Sequence, residues 1–345
     1  MRTTFTAAAA SAMALATLSP DAHAQSSITL FGVVDLSMRQ TNASDGSRVR
    51  TLSSGGLTGS RFGIRGMEDL GGDLSAGFWF EADVSADTGA ANASSYWSRR
   101  STLSLTSSDW GELRIGRDYV PLFTKQYVPF SAFGPNGVAS NGNLFFGSQS
   151  LLGSGSGAGV RADNMIKYIL PRGLGDFYGE VMGSFAEGRD VNRHRGSVLG
   201  HASGPFDINV GFGRTSDTNG LHWIRLSSIG ASYNPGWARF SMLFQHARYL
   251  ERNQQTMDLS ASVPVGNSVL KISYIRADQS GAGTDVNDAN QVSLGCVHYL
   301  SKRTALYGTF SRIGNKGTQN FGLGGVTPPA GGSVRGIEFG MNHTF

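Results

Sequence analysis

The side chains of this sequence best suited to chemistry are its arginines. Of the 29 cationic residues, 24 are Arg and only 5 are Lys, against 25 Asp and Glu. A guanidinium offers five donors in a planar fork that matches carboxylate and phosphate, whereas an ammonium is a hydrated point charge. Close pairs recur early in the chain: Arg61 and Arg65, Arg99 and Arg100, Arg114 and Arg117, preceded by Arg39 and followed by Asp118 and Lys125. Fixed cations of this kind concentrate anions; alone they break no bonds. The reactive residue types lack company. His246 and His298 could act as bases only if a Ser and a carboxylate or amide converged on them. Cys296 shares parity with Val292, Leu294 and Leu300 and reads as a small apolar residue. Asp285-x-Asn287-Asp288-x-Asn290 resembles a calcium loop but lacks its Gly and closing Glu. Gly211-Phe-Gly213 lacks the strand–turn–helix setting of a phosphate loop. No catalytic residue, metal site or cofactor is expected. The arginines are scattered along the chain, which sets nucleic acid aside as a partner.

The elements that position these arginines follow from composition and period. The chain has 345 residues and a formal net charge of +4, with 48 Gly, 10 Pro and only 16% charged residues. That excludes a coiled coil, and a single Cys excludes a disulfide scaffold. Twenty Phe, 10 Tyr and 5 Trp exclude disorder. Arg2, the small-residue run Ala7 to Leu18 and Ala22-His23-Ala24 read as a secretory signal peptide, so 1–24 is expected to be removed and 25–345 exported as one domain. No later stretch reaches the ~18 apolar residues of a membrane helix.

From Gln25 onward apolar and polar residues alternate. Ile28, Leu30, Val34, Leu36 and Met38 oppose Thr29, Asp35, Ser37 and Arg39; Leu74, Ala76, Phe78 and Phe80 oppose Ser75, Glu81 and Asp83. About sixteen strands are expected, the first five near 28–39, 58–67, 73–84, 97–107 and 111–118, with short and long connections in turn, the first long one around 42–57. Charges in mid-strand would be costly in the packed core of a soluble sandwich, and a water-filled lumen removes that cost. The predicted fold is therefore all-β, an antiparallel transmembrane β-barrel of sixteen strands, wide enough for an aqueous channel. Trp79, Trp97, Trp110, Tyr168, Tyr233, Trp237, Tyr249 and Tyr299 are assigned to its aromatic girdles. Leu113 and Ile115 facing lipid turn Arg114 to the lumen; Arg100 follows in the same way, with Arg99 nearer the outer rim. Arg117 breaks parity and, to face the lumen, calls for a bulge or a position past the strand end.

Gln25-Ser-Ser-Ile-Thr-Leu-Phe-Gly-Val-Val-Asp35 resembles the first strand of the trimeric Gram-negative porins of the beta-proteobacterial type. Gly59-Ser-Arg-Phe-Gly-Ile-Arg-Gly-Met-Glu-Asp-Leu-Gly-Gly72 is similar to their second strand and turn, and Trp110-Gly-Glu-Leu-Arg-Ile-Gly-Arg-Asp-Tyr-Val-Pro121 to the fifth strand entering a constriction loop. The C-terminal Gly340-Met-Asn-His-Thr-Phe345 resembles the family's assembly signal. The resemblance implies a homotrimer of outer-membrane barrels, each surrounded by lipid, each passing ions and small hydrophilic solutes, with the third external loop folded inward. Here that loop is 119–162, whose Phe123, Tyr127, Phe130, Phe133, Leu144, Phe145 and Phe146 supply surface to pack. Many general porins carry acidic residues there. This segment has no Asp or Glu, only Lys125 and Arg161. A positive constriction is expected from Arg39, Arg61, Arg65, Arg100, Arg114, Arg117, Asp118 and Lys125, favouring anions. A substrate-specific channel, a barrel enzyme and an adhesin are the alternatives, and the trimer interface is expected near the first five strands with 85–96 as a latch.

Overall fold

The first strand shows why the chain folds as it does. In the computed structural model, β1 (Ser27–Ala43) exposes Ile28, Leu30, Val34 and Met38 and buries Asp35, Ser37 and Thr41. An apolar outside around a polar inside is stable only with lipid beyond the wall and water within it. The structure describes residues 27–345 except 92–94, 147–151, 156–158 and 187–190, so the expected signal peptide lies outside the described residues.

The wall continues through β2 (Arg48–Ser54), β3 (Arg61–Gly71), β4 (Leu74–Ser85), β5 (Ala90–Ala91), β6 (Arg100–Ser107) and β7 (Gly111–Tyr119). Beyond a long connection come β8 (Arg161–Ile169), β9 (Phe177–Ser184), β10 (His194–Ser203), β11 (Phe206–Ser216), β12 (Trp223–Tyr233) and β13 (Arg239–Tyr249). The last members are β14 (Arg252–Val265), β15 (Ser268–Ser280), β16 (Asp288–Tyr299), β17 (Thr304–Asn315) and β18 (Ser333–Thr344). Every ladder is antiparallel, and β18 pairs with β1 to close the sheet. β2 and β3 are two halves of one stave, pairing with the upper and lower parts of β1, and β5 is a short tip on β4. The result is the sixteen-stranded antiparallel barrel that alternation leads to.

One stretch differs from the sequence reading. The polar composition of 42–57 predicts a loop, and residues 48–54 within it instead form β2. Arg48, Arg50 and Leu52 share the outward face there, and above the bilayer an outward face has no reason to be apolar, so the hydrophobic signal disappears while the strand goes on.

The break between β2 and β3 is held by one carboxylate. Asp35 accepts hydrogen bonds from the backbone N–H of Gly56 (3.0 Å), Leu57 (3.0 Å) and Thr58 (2.8 Å), from the Tyr307 hydroxyl (2.6 Å) and from Asn342 Nδ2 (2.9 Å). Beside it, Phe345 exchanges two 3.1 Å backbone bonds with Gly32, where a Cβ would collide with the Phe345 ring. Asp35→Ala leaves five donors without their acceptor. It is expected to cost about 3–5 kcal/mol, read as a lower urea midpoint for loss of the β signal in circular dichroism; an unchanged midpoint would show that water replaces the carboxylate.

The long connection crosses the interior. Its Gln126 donates to Asn209 on β11 (2.9 Å), Tyr127 to Gln245 on β13, and the Val138 N–H to Glu338 on β18 (2.9 Å). Gln254 on β14 reaches the Leu144 carbonyl (3.1 Å) and Gln291 on β16 the Ser140 carbonyl (3.1 Å). Tyr127, Phe130, Leu144 and Phe145 lose all exposed surface. Small residues on the facing wall admit the rings: a Cβ at Gly230 would lie 2.5 Å from Phe130, and one at Gly295 2.7 Å from Phe133.

Candidate functional site

The wall opposite those anchors is formed by β3, β4, β6, β7 and β8, and their inward positions are unusually charged. β7 supplies the densest set. Leu113 and Ile115 are exposed to the outside, so Arg114 points in, with its side chain 13% exposed. The β7–β8 register then shifts between Gly116 and Asp118. Gly116 has φ of 123°, and a Cβ there would collide with the Ser101 carbonyl, so only glycine fits. The extra residue lies on β8, between Ala162 and Met165, where Asn164 has φ of 51°. β7 pairs with β6 without a break as far as Arg117, so Arg117 keeps the outward parity of Leu113 and Ile115, and the inward turn expected of it does not occur.

Asp118, 2% exposed, is the hub: Arg114 Nη1 lies 2.6 Å from it, Lys167 Nζ 2.9 Å and Arg100 Nε 3.9 Å. Arg114 also donates to Glu112 (2.8 Å), and Lys167 lies 3.6 Å from Glu180. Arg117 bonds Asp163 and the Ser98 carbonyl (2.8 Å). A second group forms on β4, where Glu81 takes Arg99 Nε at 2.5 Å and Arg61 Nε at 3.7 Å, while Asp83 takes Arg99 Nη1 at 2.7 Å and Arg161 Nη1 at 4.0 Å. Aromatic faces complete the cluster. Arg100 and Arg65 stand over Trp79 at 4.4 and 4.9 Å, and Arg161 over Tyr119 at 4.6 Å.

Of the expected residues, Arg61, Arg65, Arg100, Arg114 and Asp118 are thus brought together, whereas Arg117 stands on the outward face with the exposed Asp163. Arg39 and Lys125 are not: Arg39 pairs with Glu338 (2.7 Å), and Lys125 stands over Tyr178 at 5.8 Å. Arg99, expected near the outer rim, turns inward onto two carboxylates because Glu81 and Asp83 on the neighbouring strand face the lumen. Trp79 is no girdle residue either; it faces inward, donating to Glu81 at 3.0 Å. Tyr249 is likewise buried and bonds Asp217 (2.9 Å). Lys167 escapes the sequence reading, although its alternation with exposed Ile166 and Tyr168 is an available signal.

The cluster holds seven cations (Arg61, Arg65, Arg99, Arg100, Arg114, Arg161 and Lys167) against five carboxylates (Glu81, Asp83, Glu112, Asp118 and Glu180). A space of about 600 Å³ opens onto Arg61, Arg99, Arg161, Tyr119 and Phe123, and another of about 510 Å³ onto Arg65, Arg100, Arg114 and Trp79. A water-filled passage with a cationic surplus on one side and an aromatic-lined segment on the other can sort solutes by size and charge.

The family model described as Gram-negative porin matches residues 7–318. The chain belongs to that family. Outer membrane porin protein 32 of Delftia acidovorans is 36% identical to this porin over 97% of this chain and 98% of the relative. Among solved structures, the anion-selective porin from Comamonas acidovorans shares 33% identity with a TM-score of 0.83, covering 93% of this chain and all of that one. Outer-membrane expressed OmpT of Vibrio cholerae, at 14% identity and a TM-score of 0.68 over 93% of this chain and 98% of its own, shares the fold alone. Family and barrel together place the porin in a bacterial outer membrane.

Proposed function

We propose that this porin lets ions and small hydrophilic solutes diffuse passively across the outer membrane, that it prefers anions, and that 119–162 is its constriction loop. The observation that carries the preference is the charge surplus of seven cations over five carboxylates on the wall facing a loop without Asp or Glu. The likeness to an anion-selective porin supports it. Fixed positive charge in a narrow aqueous passage raises the local anion concentration and excludes cations. By the same reading the protein works as a channel without turnover, as a homotrimer with its interface around β1–β7.

Planar-bilayer recordings under a KCl gradient test the proposal. Stepwise openings with a reversal potential on the chloride side are expected. A potential on the potassium side would keep the channel and remove the anion preference; silence from folded protein would remove the channel. A substrate-specific channel is the second reading, favoured by the stacked rings of Tyr119 and Phe123 (5.0 Å) and of Phe123 and Phe146 (6.0 Å) beside the cations. Flux that saturates for one planar anionic solute would mark that reading.

A further inference from the structure

The outside of the barrel carries a second arginine array that the channel does not use. Arg195 on β10 is paired with Arg214 on β11, Arg214 with Arg225 on β12, and Arg225 with Arg248 on β13. All four side chains are exposed. They point away from the lumen, because they share parity with Phe212 and Ile229, which are 58% and 42% exposed on the lipid-facing wall. Each lies within two residues of a strand end, at the same end of the barrel from which β7 enters the 119–162 segment. Among the described residues none of the four has a carboxylate within 4.0 Å. Like charges opposite one another on a sheet repel, and an outward arginine is tolerated only near the bilayer surface. Such a row is therefore poised for an anion. Arg214 is already oriented, its guanidinium 4.8 Å from the Trp223 ring.

The row borders an open cleft of about 800 Å³. Its floor is the next outward row, Val181, Ser197, Phe212, Ser227 and His246, in which the two serines leave room on either side of the Phe212 ring. Cationic rim above and shallow apolar trough below match a molecule with phosphate at one end and hydrocarbon at the other. We propose that this face binds the phosphate-bearing head group of an anionic lipid of the outer leaflet, with an acyl chain along the Ser197–Ser227 trough. Guanidinium forks take phosphate oxygens two at a time, which a zwitterionic head group with its own cation satisfies poorly.

The test uses the full-length folded porin in zwitterionic nanodiscs doped with a diphosphorylated glycolipid, with retained lipid counted by native mass spectrometry and Trp223 emission as a local reporter. Arg214→Gln with Arg225→Gln is expected to lower retention of the anionic lipid about ten- to thirtyfold, the scale set by two cations near a membrane surface. The charge-preserving pair Arg214→Lys and Arg225→Lys should recover part of the loss. Both residues face away from the pore, so unchanged conductance and reversal potential show that the variant folds. Equal retention by parent and glutamine variant overturns the proposal. So does equal retention of zwitterionic lipid, and so does full displacement by inorganic phosphate at matching concentration, which would make free phosphate the ligand.

Discussion

With Arg100 and Arg114 both changed to Gln, the chloride-to-potassium permeability ratio is expected to fall about three- to tenfold. A unit charge about 10 Å from the ion path in water, partly screened by salt, is worth roughly 0.15–0.35 kcal/mol to a passing ion. The effect enters twice, because the same charge attracts the anion and repels the cation. The surplus on this wall is small, seven cations to five carboxylates, so two neutralisations erase it. Arg100 and Arg114 also stand beside Asp118, and their loss perturbs structure as well as charge. Arg65→Gln separates the two effects. Arg65 rests on Trp79 and Phe31 without a carboxylate partner among the described residues, so its neutralisation should lower the ratio by a smaller factor and leave the unfolding midpoint in place. An unchanged ratio in the double variant would take these residues out of the selectivity field.

Asp118→Asn is expected to move selectivity the other way while weakening the protein. Asp118 is the shared partner of Arg114, Lys167 and Arg100, and Lys167 is itself 1% exposed. Removing one member of a buried charge group leaves the others uncompensated, at a cost of about 3–5 kcal/mol. Lys167 keeps Glu180 and the Tyr119 carbonyl, 2.6 Å away, which places the loss toward the lower end. The surplus grows by one charge, so the permeability ratio should rise about threefold. Reversal potential and urea midpoint measured on one preparation decide the matter: a lower ratio, or a midpoint equal to the parent's, contradicts the role given to Asp118.

The barrel is legible in the sequence because alternation with period two is a property of neighbours along the chain, and each strand carries its own record of which face is wet. The same alternation is enough to turn Arg114 and Arg100 inward. It cannot name their partners. Asp118 meets Lys167 and Arg99 meets Glu81 across ladders, and a sequence states a residue's face without stating its register against the next strand. Trp79 shows the complementary failure. Aromatics gather at membrane interfaces, but this ring sits among lumenal charges, where its face receives Arg65 and Arg100. β2 is silent in the sequence because the periodic signal comes from lipid, and that stretch of strand stands above it.

The Asp35 cluster has a kinetic consequence. Its donors come from segments 21 to 23, 272 and 307 residues away along the chain, and β1 meets β18 only when the sheet closes. Interactions made after the rate-limiting step of folding slow unfolding without speeding folding. This polar knot is therefore a latch for lifetime: it contributes little to how fast the barrel assembles and much to how long a finished one stays shut.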